Sequence, residues 1–193
     1  TPAWQQAMDE DELEVLEVAF PQFCHSAAVA TASDVDQASA AAVDALLITR
    51  PGLAVGVLSA DCVPLVFVDA GARVALAAHI GWQGAADGMA QACVDALLAA
   101  GADLARTKVW LGPAICGKCY EVPTDRVDAV AAHLPAAVID PTHLDLRAGL
   151  IDFLAAAGCS TKTLGGCTFE DPKLFSFRRD GQTGRQGAAV VLL

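Results

Sequence analysis

The chain has 193 residues, a net charge of −11 and a pI near 4.5. The length fits one domain, and the negative charge argues against nucleic-acid binding because no stripe of Lys and Arg offsets it. Hydrophobic residues make up 54% of the chain, but charged residues interrupt the apolar stretches before they reach bilayer-spanning length. We therefore predict a single domain, residues 1–193, that binds neither nucleic acid nor a membrane.

The cysteines indicate a reducing compartment. Their number is odd and they are scattered along the chain, unlike the dense disulfide framework of a small secreted domain. Residues 1–20 are acidic and show no basic region followed by an apolar stretch and a cleavage site, so nothing there supports secretion. We expect reduced thiols and a cytoplasmic location. The seven cysteines are Cys24, Cys62, Cys93, Cys116, Cys119, Cys159 and Cys167.

The first half of the chain predicts several strands and one long helix. Runs rich in Val, Leu and Ala predict strands at residues 27–32, 53–58, 63–68 and 73–79. We expect the last three of these strands to be neighbours in one sheet. Residues 85–100 carry apolar side chains at helical spacing and end at Gly101, which predicts a helix.

The second half continues the alternation of strands and helices. Thr124 is a plausible N-cap for the first of two helices. The mixture of hairpin-like and crossover connections predicts an α/β or α+β fold with mixed sheets. The predicted strands are residues 108–111, 120–122, 161–164 and 188–193, and the predicted helices are residues 124–133 and 144–157.

Three residues at or near strand ends form a candidate metal site. Cys62 precedes one predicted strand, His79 ends the next, and His25 lies close to the first. Two imidazoles and one thiolate suit a catalytic zinc whose fourth position is left for water or substrate. Ordinary burial explains each residue equally well, so both interpretations stay open at this point. Asp61 would either hold a ligand imidazole or serve as the polar residue of a turn.

Two further patterns have competing interpretations. Cys116 and Cys119 form a Cys-x-x-Cys pair. Such a pair is typical of half of a structural zinc site, of a redox pair or of two packed thiols. We favour packing or a role in the loop. Arg178, Arg179 and Arg185 cluster among glycines and hydroxyls. Such a loop either clamps an anion such as phosphate or is a solvated turn.

Ordered motifs across most of the chain resemble the laccase-domain proteins, also called the multicopper polyphenol oxidase or YfiH-like family. The resemblance runs from about residue 25 to the carboxy terminus, and the family's amino-terminal Thr-Arg-x-Gly-Gly element has no recognisable counterpart in residues 1–24. The motifs are Ser59-Ala60-Asp61-Cys62-Val63-Pro64, His79-Ile80-Gly81-Trp82-Gln83-Gly84, Leu111-Gly112-Pro113-Ala114-Ile115, Cys119-Tyr120-Glu121-Val122, Leu144-Asp145-Leu146, Cys167-Thr168 and the segment 175–186.

The resemblance implies a mixed α/β fold with sheets layered between helices, and a zinc site whose ligands are His25, Cys62 and His79. It also implies phosphate-dependent cleavage of adenosine, inosine, guanosine and methylthioadenosine, with deamination of adenosine as a second activity. Nucleoside and phosphate are then the expected partners. By this resemblance Cys62 and His79 lie in the catalytic site, and Asp61 is a candidate general acid or base because it neighbours Cys62 in sequence.

The sequence departs from the family motifs at two places. Phe23-Cys24-His25-Ser26 stands where the family has Gln-Val-His-Gly, and neutral Gln83 replaces an arginine. Phosphate binding would then depend on Arg178, Arg179 and Arg185.

Three alternatives remain open. Copper-dependent phenol oxidation is the family's older description, but a multicopper cluster needs more than the chain's four histidines. Cys62 and His79 would also make a metal-free cysteine hydrolase pair. A non-catalytic binding module with a decayed site is the third.

Overall fold

The computed structural model describes residues 17–193. The first sixteen residues, which make up most of the segment without a motif counterpart, lie outside the described part. Within residues 17–193, every helix is too short or too polar to cross a membrane.

In the described part of the chain, the strands form three sheets. Short, β-branched and alanine-rich runs supply most of them, as expected for strands buried on one or both faces. The strands are β1 (Val18–Ala19), β2 (Val29–Thr31), β3 (Ala45–Ile48), β4 (Ala54–Ser59), β5 (Val63–Asp69), β6 (Val74–Ile80), β7 (Lys108–Leu111), β8 (Val138–Asp140), β9 (His143–Leu144), β10 (Ser160–Thr163) and β11 (Gln186–Val191).

Helices connect the strands and cover the sheets. A 3₁₀ turn at Pro135–Ala137 precedes β8. The α-helices are α1 (Val35–Ala40), α2 (Trp82–Ala86), α3 (Met89–Ala99), α4 (Thr124–Ala131), α5 (Leu146–Ala156) and α6 (Phe177–Asp180).

The central sheet has six strands in the order β10-β7-β5-β6-β3-β2. Its outer pairs are parallel and its inner pairs are antiparallel, so the sheet is mixed as predicted. A three-stranded sheet, β1-β4-β11, and the β8-β9 hairpin complete the set. These sheets and helices confirm the predicted mixed α/β class.

The two faces of the central sheet bury different cores. On β6, Val74, Leu76, Ala78 and Ile80 face a core shared with α3, α4 and α5. The alternate residues of β6 belong to a second core that β4 and α1 also line. Alternation along one strand therefore packs a helical layer on one face and the smaller sheet on the other.

The strand predicted at residues 53–58 is present as β4, but it is not a neighbour of β5 in one sheet. β4 pairs with β1 and β11 instead. Between β4 and β5 the backbone of Asp61 has a φ of 89°, in the left-handed region. This sharp local turn sends the chain from one sheet into the other, so sequence proximity did not lead to pairing.

The prediction of a single helix at residues 85–100 is wrong, because two helices, α2 and α3, cover this segment. Gly88 lies between them with a φ of 84°. A left-handed residue cannot continue a right-handed helix, and glycine takes that conformation without a Cβ penalty.

Three smaller predictions are also corrected. Thr124 is the first helical residue of α4 rather than its N-cap, which is Pro123. Residues 120–122 do not form a strand, and Glu121 makes only an isolated bridge. Leu144 belongs to β9, and α5 begins after Asp145, whose carboxylate accepts a hydrogen bond from the Ala148 amide.

Candidate functional site

Strand pairing brings the candidate ligands together. In the antiparallel β5-β6 pair, Val63 lies opposite Ile80 and Pro64 opposite His79, so Cys62, directly before β5, lies next to the end of β6. His25 comes from the loop before β2, where its backbone φ is 58°. The potential ligand atoms of His25, Cys62 and His79 lie within 4.8 Å of one another. The fold therefore assembles the predicted triplet.

Asp44 orients His79. Its Oδ1 lies 3.0 Å from His79 Nδ1, and both side chains are almost completely buried. Burial disfavours the ionised form of Asp44. The hydrogen bonds that the carboxylate accepts from His79, Ser26 and Cys24 outweigh this effect and hold its pKa well below the usual range. An ionised carboxylate only accepts, so Nδ1 of His79 carries the proton and Nε2 is left for a ligand.

The same carboxylate anchors the loop that carries His25. Oδ2 of Asp44 accepts hydrogen bonds from the Cys24 amide at 3.3 Å, the Ser26 amide at 2.7 Å and the Ser26 hydroxyl at 3.1 Å. These bonds bracket His25 and support a positive φ that is uncommon for a residue other than glycine. One buried aspartate thus positions both histidines of the cluster.

The three clustered groups shift one another's pKa values. Burial opposes the Cys62 thiolate, but interactions with His25 and His79 outweigh it and lower the pKa of Cys62 to about 7. Burial also opposes the His79 cation, and Asp44 and Cys62 outweigh it, raising the pKa of His79 to about 9. The contact with Cys62 raises the pKa of His25 as well. Mutual stabilisation of the thiolate and the imidazolium rings is typical of a functional site.

The donor set and its surroundings fit a metal ion. Two imidazoles and a thiolate are common zinc ligands, and the His79–Asp44 bond is the carboxylate-histidine arrangement that fixes a ligand's tautomer. Gly81 lies against the cluster, because a Cβ there would be 2.9 Å from Cys62 Sγ and 3.4 Å from His25 Cδ2. The backbone therefore leaves no spare space beside the donor atoms.

The cluster opens into a cavity of about 540 Å³, large enough for a small organic ligand. Four aromatic side chains and three arginines line it together with the cluster. Ser59 also lines it, and its buried hydroxyl has no hydrogen-bond partner within residues 17–193. The aromatic and cationic lining consists of Phe23, Trp82, Tyr120, Phe177, Arg126, Arg178 and Arg185.

Two of the three arginines predicted to bind an anion line the cavity. Arg178 and Arg185 line the cavity, and the Arg178 guanidinium lies 5.2 Å from the centre of the Tyr120 ring. Arg179 does not line it. Its guanidinium donates to the carbonyls of Thr168 and Leu174 and pairs with Asp180 at 2.7 Å. Arg179 therefore braces its own loop and is corrected to a structural residue.

Arg126 is a cavity residue that sequence patterns did not reveal. It lies on α4 and stacks over Trp82, with its guanidinium carbon 4.3 Å from the ring centre. A single arginine on an exposed helix gives no local signal of a site. Gln83, where the motif resemblance implies an arginine, is exposed on α2 and is not part of the cavity lining.

Asp61 lines the cavity but does not hydrogen-bond to a histidine of the cluster, because Asp44 makes that contact with His79. Oδ1 of Asp61 accepts from the Thr168 hydroxyl at 2.6 Å, and Oδ2 accepts from the Arg178 amide at 2.6 Å. The carboxylate thus ties the loop of Arg178 to the strand ends. These contacts position the cavity wall, and the role of Asp61 as a general acid or base stays a prediction.

A second cysteine cluster lies beside this wall. Cys116 and Cys119 meet Cys167, with the three Sγ atoms within 4.8 Å of one another. The sequence pattern favoured packing or a loop role for the Cys-x-x-Cys pair and gave no reason to add Cys167. The two remaining histidines, His133 and His143, belong to neither cluster.

Comparisons with known proteins show the family and the fold. The family model described as "Multi-copper polyphenol oxidoreductase laccase" matches residues 3–193. A solved Bacillus licheniformis protein, the hypothetical protein YfiH, is 27% identical, with a TM-score of 0.85 over 97% of this chain and 79% of that one. YlmD from Geobacillus stearothermophilus is also 27% identical, with a TM-score of 0.84 over 97% and 78% of the two chains.

Curated relatives are similar over a shorter part of their length. Purine nucleoside phosphorylase ORF3 from Streptomyces griseus is 40% identical over 78% of this chain and 63% of its own. Adenosine deaminase RL5, from an unknown prokaryotic organism, is 37% identical over 82% of this chain and 64% of its own. The chain therefore spans less than two thirds of these relatives. The family match and the identities show that this chain belongs to the multi-copper polyphenol oxidoreductase laccase family.

Proposed function

We propose that this chain carries a zinc-dependent purine nucleoside phosphorylase site that also deaminates adenosine. The main support for this proposal is that the cluster of His25, Cys62 and His79 opens into a cavity lined by aromatic rings and arginines. The names of the relatives support the same reactions. We place the activity in the cytoplasm, where the thiol of Cys62 stays reduced.

His25, Cys62 and His79 would hold the zinc ion, which would supply Lewis-acid chemistry and activate water. Asp44 keeps the His79 ring in the tautomer that presents Nε2 to the cluster. The same carboxylate fixes the loop of His25 through the Ser26 and Cys24 amides. These contacts preorganise the donor atoms, so little rearrangement would be needed on binding.

The aromatic rings suit a purine base. Phe23, Trp82, Tyr120 and Phe177 present flat apolar surfaces around the cavity. Such surfaces bind heteroaromatic rings by stacking.

The arginines suit the phosphate. Arg126, Arg178 and Arg185 surround the cavity in a chain whose net charge is −11, so they form a local cationic region in an otherwise anionic protein. Guanidinium groups bind phosphate oxygens through paired, charge-assisted hydrogen bonds. Phosphorolysis needs phosphate held next to the ribose, and this lining would orient it there.

A metal-free hydrolase is the second candidate, because one contact specifically favours it. Cys62, His79 and Asp44 follow the order of nucleophile, base and orienting carboxylate that cysteine hydrolases use. A thiol with a pKa near 7 is also a competent nucleophile. Metal analysis separates the two candidates, since the hydrolase would act without zinc.

Copper chemistry is less well supported. A type-one copper site adds a weak axial ligand, commonly Met, to two imidazoles and a thiolate. Among the described residues, no methionine lines the cavity. The chain's four histidines are also too few for a multicopper cluster in addition. Oxidation of a phenol by the copper-loaded protein, with none by the zinc-loaded protein, would reverse this preference.

Product analysis tests the proposal. Zinc-loaded protein is incubated with adenosine, with and without phosphate, and the products are identified by mass spectrometry. We expect adenine and ribose 1-phosphate only when phosphate is present, and inosine in both conditions. Cys62→Ala should form neither product, while Cys159→Ala, which removes a buried thiol outside both clusters, should behave as the wild type.

Two results would contradict the proposal. Equal turnover by carefully metal-free protein would favour the hydrolase, in which Cys62 acts directly. No turnover by folded, zinc-replete protein would favour a binding module, and nucleoside binding would then be measured by calorimetry.

A further inference from the structure

Two loops next to the cavity meet at three thiols. Cys116 and Cys119 lie in the segment after β7, and Cys167 follows β10. Ala114 and Cys167 form a parallel bridge, and the Thr168 amide donates to the Ala114 carbonyl at 3.1 Å. The backbone of the two segments thus holds the three sulfur atoms together.

The surroundings of these thiols are those of metal ligands. The Cys116 amide donates a hydrogen bond to Cys167 Sγ at 3.3 Å, which holds this sulfur beside the Cys-x-x-Cys turn. The amides of Cys119 and Tyr120 both donate to the Cys116 carbonyl at 3.0 Å, so the Cys-x-x-Cys segment forms a compact turn with both thiols on one side. Glu170 brings a carboxylate oxygen 3.8 Å from Cys119 Sγ.

We propose that Cys116, Cys119 and Cys167 bind a second, structural zinc ion, with the Glu170 carboxylate as the fourth donor. Tetrahedral zinc has Zn–S distances of about 2.3 Å, which places its sulfur ligands about 3.8 Å apart. The three thiols already lie within 4.8 Å of one another, whereas Glu170 is near Cys119 only and its side chain must rotate toward the other two sulfurs to become the fourth donor. Three sulfurs and one oxygen from the protein leave no open position, which is typical of a structural site rather than a catalytic one.

This zinc would brace the cavity wall. Tyr120 follows Cys119 directly and lines the cavity. Thr168 follows Cys167, and its hydroxyl donates to the same Asp61 carboxylate that receives the Arg178 amide. Fixing the cysteines would therefore fix both the aromatic ring and the loop of a cavity arginine. The inference does not depend on which reaction the cavity catalyses.

Zinc stoichiometry tests the second site. Protein is reduced, loaded with zinc, desalted and analysed for zinc by plasma mass spectrometry. The wild type should retain two zinc ions per chain, and Cys119→Ala and Cys62→Ala should each retain one. The double variant should retain none. Cys119 is only partly buried, so its truncation does not open a core cavity, and Cys159→Ala is the matched control that should keep both ions.

Cobalt substitution gives an independent result. In the Cys62→Ala background, cobalt bound at the second site should show strong thiolate-to-metal charge-transfer absorption, which should be lost in Cys62→Ala/Cys119→Ala. Glu170→Gln should keep the absorption but bind zinc more weakly. A wild type that retains one zinc, or a zinc content that Cys119→Ala leaves unchanged, would overturn the proposal. Neither result would contradict zinc binding at the first site, because Cys62→Ala tests that site separately.

Discussion

Asp44 Oδ1 and His79 Nδ1 lie 3.0 Å apart, inside the core and 35 positions apart in sequence. The Asp44 backbone carbonyl also accepts the His79 amide at 2.8 Å. β3 and β6 are paired at this point, so the sheet itself holds the carboxylate against the ring. The cluster's geometry is therefore set by the central sheet.

Asp44→Asn should weaken zinc binding at the first site by about 10- to 100-fold, the range typical for loss of a carboxylate behind a ligand histidine. The amide is nearly isosteric but removes the charge that stabilises the His79 Nδ1 proton. Competition with a chromophoric chelator measures the affinity. Asp36→Asn, at an exposed position of α1, is the control and should bind as the wild type. Equal affinity in both variants would show that Asp44 does not support the site.

Cys62 of the metal-free protein should react with iodoacetamide with a midpoint near pH 7. The thiolate is the reactive form, and His25 and His79 stabilise it. In His25→Asn the midpoint should move up toward the ordinary value of 9.0. Peptide mass spectrometry separates Cys62 from the other thiols, and bound zinc should protect it. A wild-type midpoint near 9, or no protection, would contradict the cluster's assignment.

The pKa shifts of Cys62 and His79 also predict how the stability of the metal-free protein depends on pH. The folded pKa of Cys62 is lowered, so its contribution is lost as the pH falls through about 7. The folded pKa of His79 is raised, so its contribution is lost as the pH rises through about 9. The Cys62 contribution is complete only above its ordinary pKa of 9.0, so the stability of the wild type relative to Cys62→Ala should rise as the pH increases from about 7 to 9. Urea unfolding of both proteins across this window measures the difference, and a difference that falls with rising pH would contradict the lowered pKa of Cys62.

Gly81→Ala should impair zinc binding while leaving the fold intact. The added Cβ would lie 2.9 Å from Cys62 Sγ, closer than non-bonded atoms tolerate, so the thiolate must move away from the imidazoles. Gly166→Ala is a suitable control because nothing lies within 4 Å of its Cβ position. Zinc content and circular dichroism are measured on both variants. Full zinc occupancy in Gly81→Ala would show that the close approach is unimportant.

Arg185→Gln should raise the KM for phosphate by about tenfold or more, as expected for loss of a charge-assisted hydrogen bond. Deamination without phosphate should be almost unchanged, because the arginine is proposed to act on the anion alone. Arg50→Gln, an exposed arginine outside the cavity lining, is the control. An unchanged phosphate KM in Arg185→Gln and Arg126→Gln would remove these residues from the anion site.

Phe177→Ala should raise the KM for nucleosides by about tenfold without affecting zinc content. Its ring is 60% exposed at the cavity, so truncation costs little stability but removes a stacking surface. Leu98→Ala, which is 50% exposed on α3, is the control for an exposed apolar side chain outside the cavity. Steady-state kinetics with inosine measures the effect. Equal KM values in the two variants would exclude Phe177 from base binding.

Local patterns were sufficient to predict the residues at strand ends. Cys62 directly precedes β5 and His79 is the penultimate residue of β6, and their motifs supported the grouping with His25. Asp44 gave no such signal, because its relation to His79 arises only when β3 pairs with β6. A single acidic residue before a short apolar run looks like any turn residue.

The arginines show the same limit. Arg178, Arg179 and Arg185 share one short segment, and the sequence offered no reason to separate them. All three guanidinium groups donate to backbone carbonyls, but only Arg178 and Arg185 also line the cavity. Arg126 reaches it from a different helix. Side-chain direction depends on backbone conformation that composition does not encode.

The most direct test of the account is a zinc titration of metal-free protein that follows both bound zinc and phosphorolysis of inosine. With Cys119→Ala, which leaves only the first site, we predict that activity rises in proportion to bound zinc and reaches its maximum at one ion per chain. Cys62→Ala should show no activity at any zinc concentration. Full activity before zinc is added, or none when His25, Cys62 and His79 are saturated, would contradict the account.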